Sequence, residues 1–207
     1  GKKTMYKCAS FFAGVGGIDL GFELTYNEIE ALEANQNHWY YEQYDYSYWL
    51  AKLCYERYEK YNEEWMLVKA SKYYRISGKP NKALKITENF TTDDKNVYAA
   101  YWTTRGGAFK DVKKLDEAVQ CVEKSLKINN ENHHPYNLAG SIEFIKGNIE
   151  KAQEFFDKAM ILGAKSIALS KDDIKDVIEK STKQQSEKIK SYLLKLNQEK
   201  YYWIKWI

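Results

Sequence analysis

A repeat of 34 residues in the second half of the sequence limits the possible folds more than any other feature. The segment that begins at Tyr101 recurs 34 residues later, so that Gly106 corresponds to Gly140 and Ala118 to Ala152. A third copy lies upstream, at a step of 35 residues, with the matching positions Leu67, Ser71, Gly78, Ala83 and Phe90. A fixed period of this length predicts an array of small units, each of which buries its apolar face against its neighbours.

Each copy has the residue pattern of two helices that pack closely on each other. Small residues recur at one place in each half of the repeat: Ser71, Gly106 and Gly140 in the first half, and Ala83, Ala118 and Ala152 in the second. Larger side chains, Leu67, Trp102 and Tyr136, are expected to fill the space next to the neighbouring copy. Gly78 and Gly147 fall between the two halves, where a turn with positive φ favours glycine. Asn130 and Pro135 mark the break between copies.

These positions resemble the tetratricopeptide repeat, which has an aromatic residue, a glycine and two alanines at fixed places in 34 residues. The resemblance extends over about residues 38–166. Three positions depart from it: Arg105 replaces the usual leucine, Thr87 replaces a larger apolar residue, and the proline usual at position 32 of the repeat is missing. The resemblance implies an all-α fold, an α-solenoid of antiparallel helix pairs. A general antiparallel helical bundle is the alternative.

Four segments are predicted along the chain. Residues 1–24 form a short N-terminal segment outside the repeats, residues 25–62 a degenerate first repeat, residues 63–166 three repeats, and residues 167–207 the C-terminal capping helices. In the degenerate repeat, aromatic and apolar side chains can cover one broad helical face: Tyr41, Tyr44, Tyr48, Leu53 and Tyr55. Packing is the expected role of these side chains, and a ligand cage is the alternative.

The C-terminal segment has the features of a cap for the last repeat. Ser170 is a predicted helix N-cap, and Asp172 and Asp173 follow it at the positive end of the helix dipole. In the closing helix, Ile189, Leu193, Leu196 and Tyr201 are expected to face inward. The aromatic end at residues 201–206 is expected to pack on the last repeat, with contact to a membrane surface as the alternative.

The resemblance also implies a concave groove lined by the first helix of each pair. The groove positions that it implies are Trp65, Val68, Lys72 and Arg75, then Ala100, Thr103, Gly107 and Lys110, then His134, Asn137, Ser141 and Phe144. The predicted partner-binding residues among them are Trp65, Lys72, Arg75, Lys110, Asn137 and Phe144. Their basic and apolar character favours an acidic peptide or a C-terminal carboxylate. A solvated face without a partner is the alternative.

The N-terminal string SFFAGVGGIDLGFE, residues 10–23, is similar to motif I of the DNA cytosine-5 methyltransferases. That resemblance, over residues 6–23, implies a loop that binds S-adenosylmethionine, with Phe12, Gly14, Gly16 and Gly17 at the cofactor. The family also needs a Pro-Cys nucleophile, but no cysteine of this sequence follows a proline. A truncated methyltransferase fragment joined to a repeat protein is the favoured explanation. There are two alternative explanations. The segment is a methyltransferase loop that was retained with a new role, or it is a helical cap whose similarity to the motif is misleading.

Charge and cysteine content narrow the class of function. A net charge of +3 gives no reason to expect nucleic-acid binding, and no apolar run is long enough to predict a membrane span. The three cysteines and three histidines are scattered and lack the spacing of metal ligands, so we expect neither a metal site nor a disulfide framework. The expected location is a reducing cytoplasm.

The predicted function is a non-catalytic scaffold that binds a protein or peptide. The alternative is an S-adenosylmethionine-dependent DNA methyltransferase, or a fragment of one that needs a partner chain.

Overall fold

The computed structural model describes residues 26–34 and 46–207, and all regular structure in these residues is helical. The chain divides into two units, Gly1–Thr91 and Thr92–Ile207. In both units, helices that are consecutive in the chain pack against each other in pairs. The predicted all-α class with repeat-like helix pairs is therefore confirmed.

The structure describes four helices in the first unit, one within residues 26–34 and three from residue 46 onward. They are α1 (Tyr26–Ala34), α2 (Tyr46–Tyr61), α3 (Glu64–Ile76) and α4 (Pro80–Ile86). Helix α3 is central, because it packs on both α2 and α4. Glu33 joins α1 to α3, since it pairs with the Lys69 ammonium and accepts a hydrogen bond of 2.7 Å from the Tyr73 hydroxyl.

Helix α2 buries a different set of side chains from the predicted aromatic face. Leu50, Ala51 and Cys54 are its buried residues, whereas Tyr48 and Tyr55 are only half-buried. Leu50 and Cys54 lie one turn apart on the same side of α2, and Ala51 lies about 100° further round the helix. The three therefore form an apolar stripe of the width usual for a helix side that faces a core. Tyr41 and Tyr44 lie outside the described residues.

The second unit contains two longer helix pairs and the C-terminal helices. They are α5 (Lys95–Asp111) with α6 (Leu115–Ile128), α7 (His133–Ile145) with α8 (Ile149–Ile161), then α9 (Lys171–Lys180), α10 (Lys183–Leu196), α11 (Gln198–Tyr201) and a 3-10 helix (Tyr202–Trp206). The small residues of the repeat lie where the helices of each pair approach most closely. A Cβ atom on Gly106 would lie 3.0 Å from the Cβ of Cys121, and Ala118 and Ala152 are fully buried.

The turns inside the pairs show why the repeat has glycine between its helices. Gly78 and Gly147 have φ values of +72° and +84°, as predicted. The middle copy has Lys113 at the corresponding place with φ +63°, a conformation that costs free energy for a residue with a Cβ atom.

The C-terminal helices pack on the last pair, and their inward residues agree with the prediction. Ile189, Leu193 and Tyr201 are buried in one cluster with Phe156 of α8, and Leu196 is partly buried against the same cluster. The Ser170 side chain caps α9, because its oxygen accepts a hydrogen bond of 3.0 Å from the Asp173 amide.

Glu143 of α7 binds side chains at the start of α8, and its replacement is expected to lower the stability of the second unit. Its carboxylate accepts hydrogen bonds from Asn148 (2.7 Å) and Lys151 (3.0 Å). Burial alone would raise the pKa of Glu143, but these bonds hold it below its ordinary value of 4.5. We expect Glu143→Gln to lower the free energy of unfolding by about 1.5–3 kcal/mol near pH 7, the range for hydrogen bonds to charged groups.

The pH dependence of this loss identifies its cause. Because the pKa of Glu143 is lowered by folding, its contribution is complete above pH 4.5 and is lost as the pH falls through the lowered pKa. The difference between wild type and Glu143→Gln in urea unfolding should therefore be constant at pH 5.5–7 and shrink below about pH 4.5. Glu154→Gln, an exposed change on α8, is the control and should have little effect. A loss that does not change with pH would contradict the role of the charge.

Candidate functional site

Helix α3 presents its four groove positions with different degrees of exposure. Trp65 has 39% of its surface exposed and Lys72 is exposed, whereas Val68 and Arg75 are half-buried. Spacings of three and four residues align these side chains along one side of the helix. The Lys72 ammonium lies 4.9 Å from the centre of the Tyr73 ring. The α3 face, as we call these four positions, thus combines an exposed aromatic side chain with basic groups.

The groove positions of α5 are more enclosed. Gly107 is buried, and Ala100 and Thr103 are half-buried. The Thr103 hydroxyl lies 2.9 Å from the Ser125 hydroxyl, which itself donates to the Ala99 carbonyl oxygen. The Lys110 ammonium lies 3.4 Å from the Ser141 hydroxyl of α7 and 3.9 Å from the Asp111 carboxylate. Lys110 is thus engaged within its own unit.

Helix α7 uses its groove positions to hold a segment of the same chain. The Asn137 side chain makes two hydrogen bonds to main-chain groups: its Nδ2 donates to the Ser166 carbonyl oxygen at 2.8 Å, and its Oδ1 accepts from the Ala168 amide at 2.7 Å. The Ser141 hydroxyl donates to the Ala168 carbonyl oxygen at 2.6 Å. Side chains at two groove positions therefore bind both main-chain groups of Ala168.

The bound segment, residues 164–170, is irregular chain between α8 and α9, and we call it the strap. It bends at residues 165–166 and then continues without regular structure to Ser170. Ile167 and Leu169 are buried at 5% and 9% exposure, whereas Ser166 and Ala168 are exposed. Alternating burial with a period of two is typical of extended chain that lies on a surface.

Phe144, a predicted partner-binding residue, is not part of the accessible surface of this structure. Only 2% of it is exposed, and it belongs to the buried cluster that contains Ile167, Leu169 and Phe156. The strap and the C-terminal helices bury this end of α7, which the general repeat pattern leaves open.

The predicted partner-binding residues are divided between the two units. Trp65, Lys72 and Arg75 belong to the first unit, and Lys110 and Asn137 belong to the second. The strap, which occupies α7, was not predicted from the sequence. The signal that could have revealed it is the alternation of Ile167 and Leu169 with Ser166 and Ala168, which is typical of extended chain.

The described cysteines and histidines give no support for catalysis. Burial raises the pKa of the Cys54 thiol to about 12 and that of the Cys121 thiol to about 11, so both are protonated near neutral pH and are poor nucleophiles. Within residues 26–34 and 46–207, no group of three or more His, Cys, Asp or Glu side chains has the arrangement of a metal site. The predicted cofactor residues Phe12, Gly14, Gly16 and Gly17, and Cys8 with them, lie outside the described residues.

Comparison with known proteins agrees with the repeat seen in the second unit. The tetratricopeptide repeat family model matches residues 99–132 and 133–160, the two helix pairs α5–α6 and α7–α8. A search of curated proteins found no match. Tetratricopeptide repeats support a general role in protein–protein interaction. Among the described helices, none has the length and apolar character that a membrane crossing requires.

Proposed function

We propose that this protein is a non-catalytic scaffold that binds an extended segment of a partner protein along the first helices of its repeats. One observation carries the proposal: Asn137 and Ser141, at groove positions of α7, bind the main chain of an extended segment. Main-chain hydrogen bonds bind a polypeptide whatever its side chains are, and neighbouring side chains then add specificity. The same face of a repeat thus has the chemistry to bind another protein.

The α3 face is the proposed site for the partner. Trp65 offers a large aromatic surface, the kind of side chain that contributes most to protein interfaces. Lys72 and Arg75 lie on the same side of α3 and favour an acidic segment. The buried free thiols of Cys54 and Cys121 suit the reducing cytoplasm that we propose as its location.

Charge reversal on the α3 face is expected to release the partner. In affinity capture from an extract of the source cell, quantified by mass spectrometry, Lys72→Glu should lower recovery of the acidic partner about tenfold. Trp65→Ala should lower recovery of the same protein, because it removes the aromatic anchor. Lys72 is exposed, so its change should not disturb folding. Trp65 is only 39% exposed, so the circular dichroism of Trp65→Ala must match that of wild type before its recovery is compared.

A matched control separates the α3 face from net charge. Lys85→Glu makes the same change of charge on α4, the second helix of the same pair, where Lys85 is also exposed. Recovery of the partner by Lys85→Glu should equal that by wild type. If Lys72→Glu and Trp65→Ala both retain the proteins that wild type captures, the α3 face is not the binding site.

A further inference from the structure

The strap lies on α7 as a bound peptide would. Two groove side chains hold it through the amide of Ala168 and the carbonyl oxygens of Ser166 and Ala168. Ile167 and Leu169, on either side of Ala168, are buried, and Ala168 itself faces solvent. The contacts define a ligand: an extended segment with branched apolar side chains at two alternate positions, on either side of a residue that is held by its main chain.

We propose that α7 is a polypeptide-binding site that the strap fills, and that a partner segment with apolar side chains at the same two alternate positions binds there by displacing the strap. The inference rests on the proposed function, because it treats α7 as part of the same binding surface. It adds two points to the proposed function. It names the class of segment that α7 binds, and it states that the strap competes with the partner segment for α7.

The strap joins α8 through a glycine turn and shares its buried cluster with the C-terminal helices. Gly163 precedes the strap with φ +98°, a conformation that glycine adopts readily, and the chain bends at residues 165–166. Ile167 and Leu169 lie in the same buried cluster as Ile189, Leu193 and Ile204 of those helices. Release of the strap therefore exposes part of this cluster unless the partner segment replaces both side chains, which favours a partner with apolar side chains at the same two positions.

The test measures binding of a labelled peptide with the strap sequence, AKSIALS, to the full chain by fluorescence anisotropy. Ala168→Pro removes the main-chain N–H that donates to Asn137 Oδ1 and leaves the α7 side chains unchanged. A strap that is closed in nine of ten molecules lowers the apparent affinity tenfold. We therefore expect Ala168→Pro to bind the peptide at least about tenfold more tightly than wild type.

Two further variants assign the effect to α7. Ala168→Ser retains the amide at the same exposed position and should bind as wild type does. Asn137→Ala combined with Ala168→Pro should lose the gained affinity, because the peptide then lacks the side chain that holds its main chain. Equal binding by wild type and Ala168→Pro, or a gain that persists with Asn137→Ala, would overturn the proposal.

Hydrogen exchange of wild type gives a second measurement that does not depend on how a variant folds. The Ala168 amide should be protected in the free protein and should exchange faster when the peptide is added at millimolar concentration. Unchanged exchange at that concentration would also overturn the proposal. Because Lys72 lies on the other unit, Lys72→Glu should leave the peptide titration unchanged, so failure here and failure of the α3 face are separate results.

Discussion

Phe156→Ala is expected to lower the free energy of unfolding of the second unit by about 3–5 kcal/mol, the usual cost of removing a buried aromatic ring. Phe156 is fully buried on α8. Its cluster contains Phe144 of α7, Ile174 of α9, and Ile189 and Leu193 of α10. The ring therefore supports both the last repeat and the helices that cap it. Urea unfolding followed by circular dichroism measures the loss.

Met160→Ala is the matched control for Phe156→Ala. Met160 lies one helical turn further along α8 and is 37% exposed, so the change removes a large apolar side chain from the same helix with little effect on the core. We expect a cost of about 0.5 kcal/mol, as for most surface substitutions. Equal losses for the two variants would show that the cluster around Phe156 does not carry the stability of this unit.

The repeat is the part of the fold that sequence analysis predicted most completely. Gly140 and Ala152 have small counterparts because each lies where two helices approach closely. Gly147 corresponds to Gly78 because the turn needs positive φ, a conformation that Lys113 adopts in the middle copy. Such requirements come from main-chain geometry, which is the same in every copy. A regular pattern in the sequence therefore reports them directly.

The candidate site was harder to predict, because it depends on what covers the helices. Asn137 and Phe144 occupy groove positions by their register, yet Asn137 holds the strap and Phe144 is buried. Register defines which side of α7 a residue occupies, but not whether another segment lies on that side. The strap belongs to no repeat, so the 34-residue pattern carried no information on its path.

The strap also shows how side chains at equivalent groove positions differ between the repeats. Lys72 and Ser141 are at equivalent positions of α3 and α7, but Lys72 is exposed while Ser141 is fully buried and donates to the Ala168 carbonyl oxygen. A short polar side chain suits a main-chain ligand in close contact, and a long basic one suits an acidic ligand approached from solvent. Under the proposed function, the differences between copies at groove positions are expected to match different ligands.

Gly140→Ala is expected to lower the free energy of unfolding by about 1–3 kcal/mol, the cost of overpacking a well-filled core. In a helix interior the same change ordinarily stabilises by about 0.8–1 kcal/mol, so the expected sign is reversed. The reason is steric, because a Cβ atom on Gly140 would lie 2.5 Å from Cδ1 and 2.6 Å from Cε1 of Phe156. An aromatic ring in a filled cluster cannot move aside as a flexible side chain does. Urea unfolding measures the change.

A double-mutant cycle tests whether the ring of Phe156 is the cause. In the Phe156→Ala background the space next to Gly140 is empty, so Gly140→Ala should become neutral or stabilising, with a coupling free energy of about 1–3 kcal/mol between the two sites. If Gly140→Ala costs the same in both backgrounds, the glycine is required for some reason other than Phe156. The recurrence of a small residue at positions 71, 106 and 140 would then need a different explanation from close packing against the second helix.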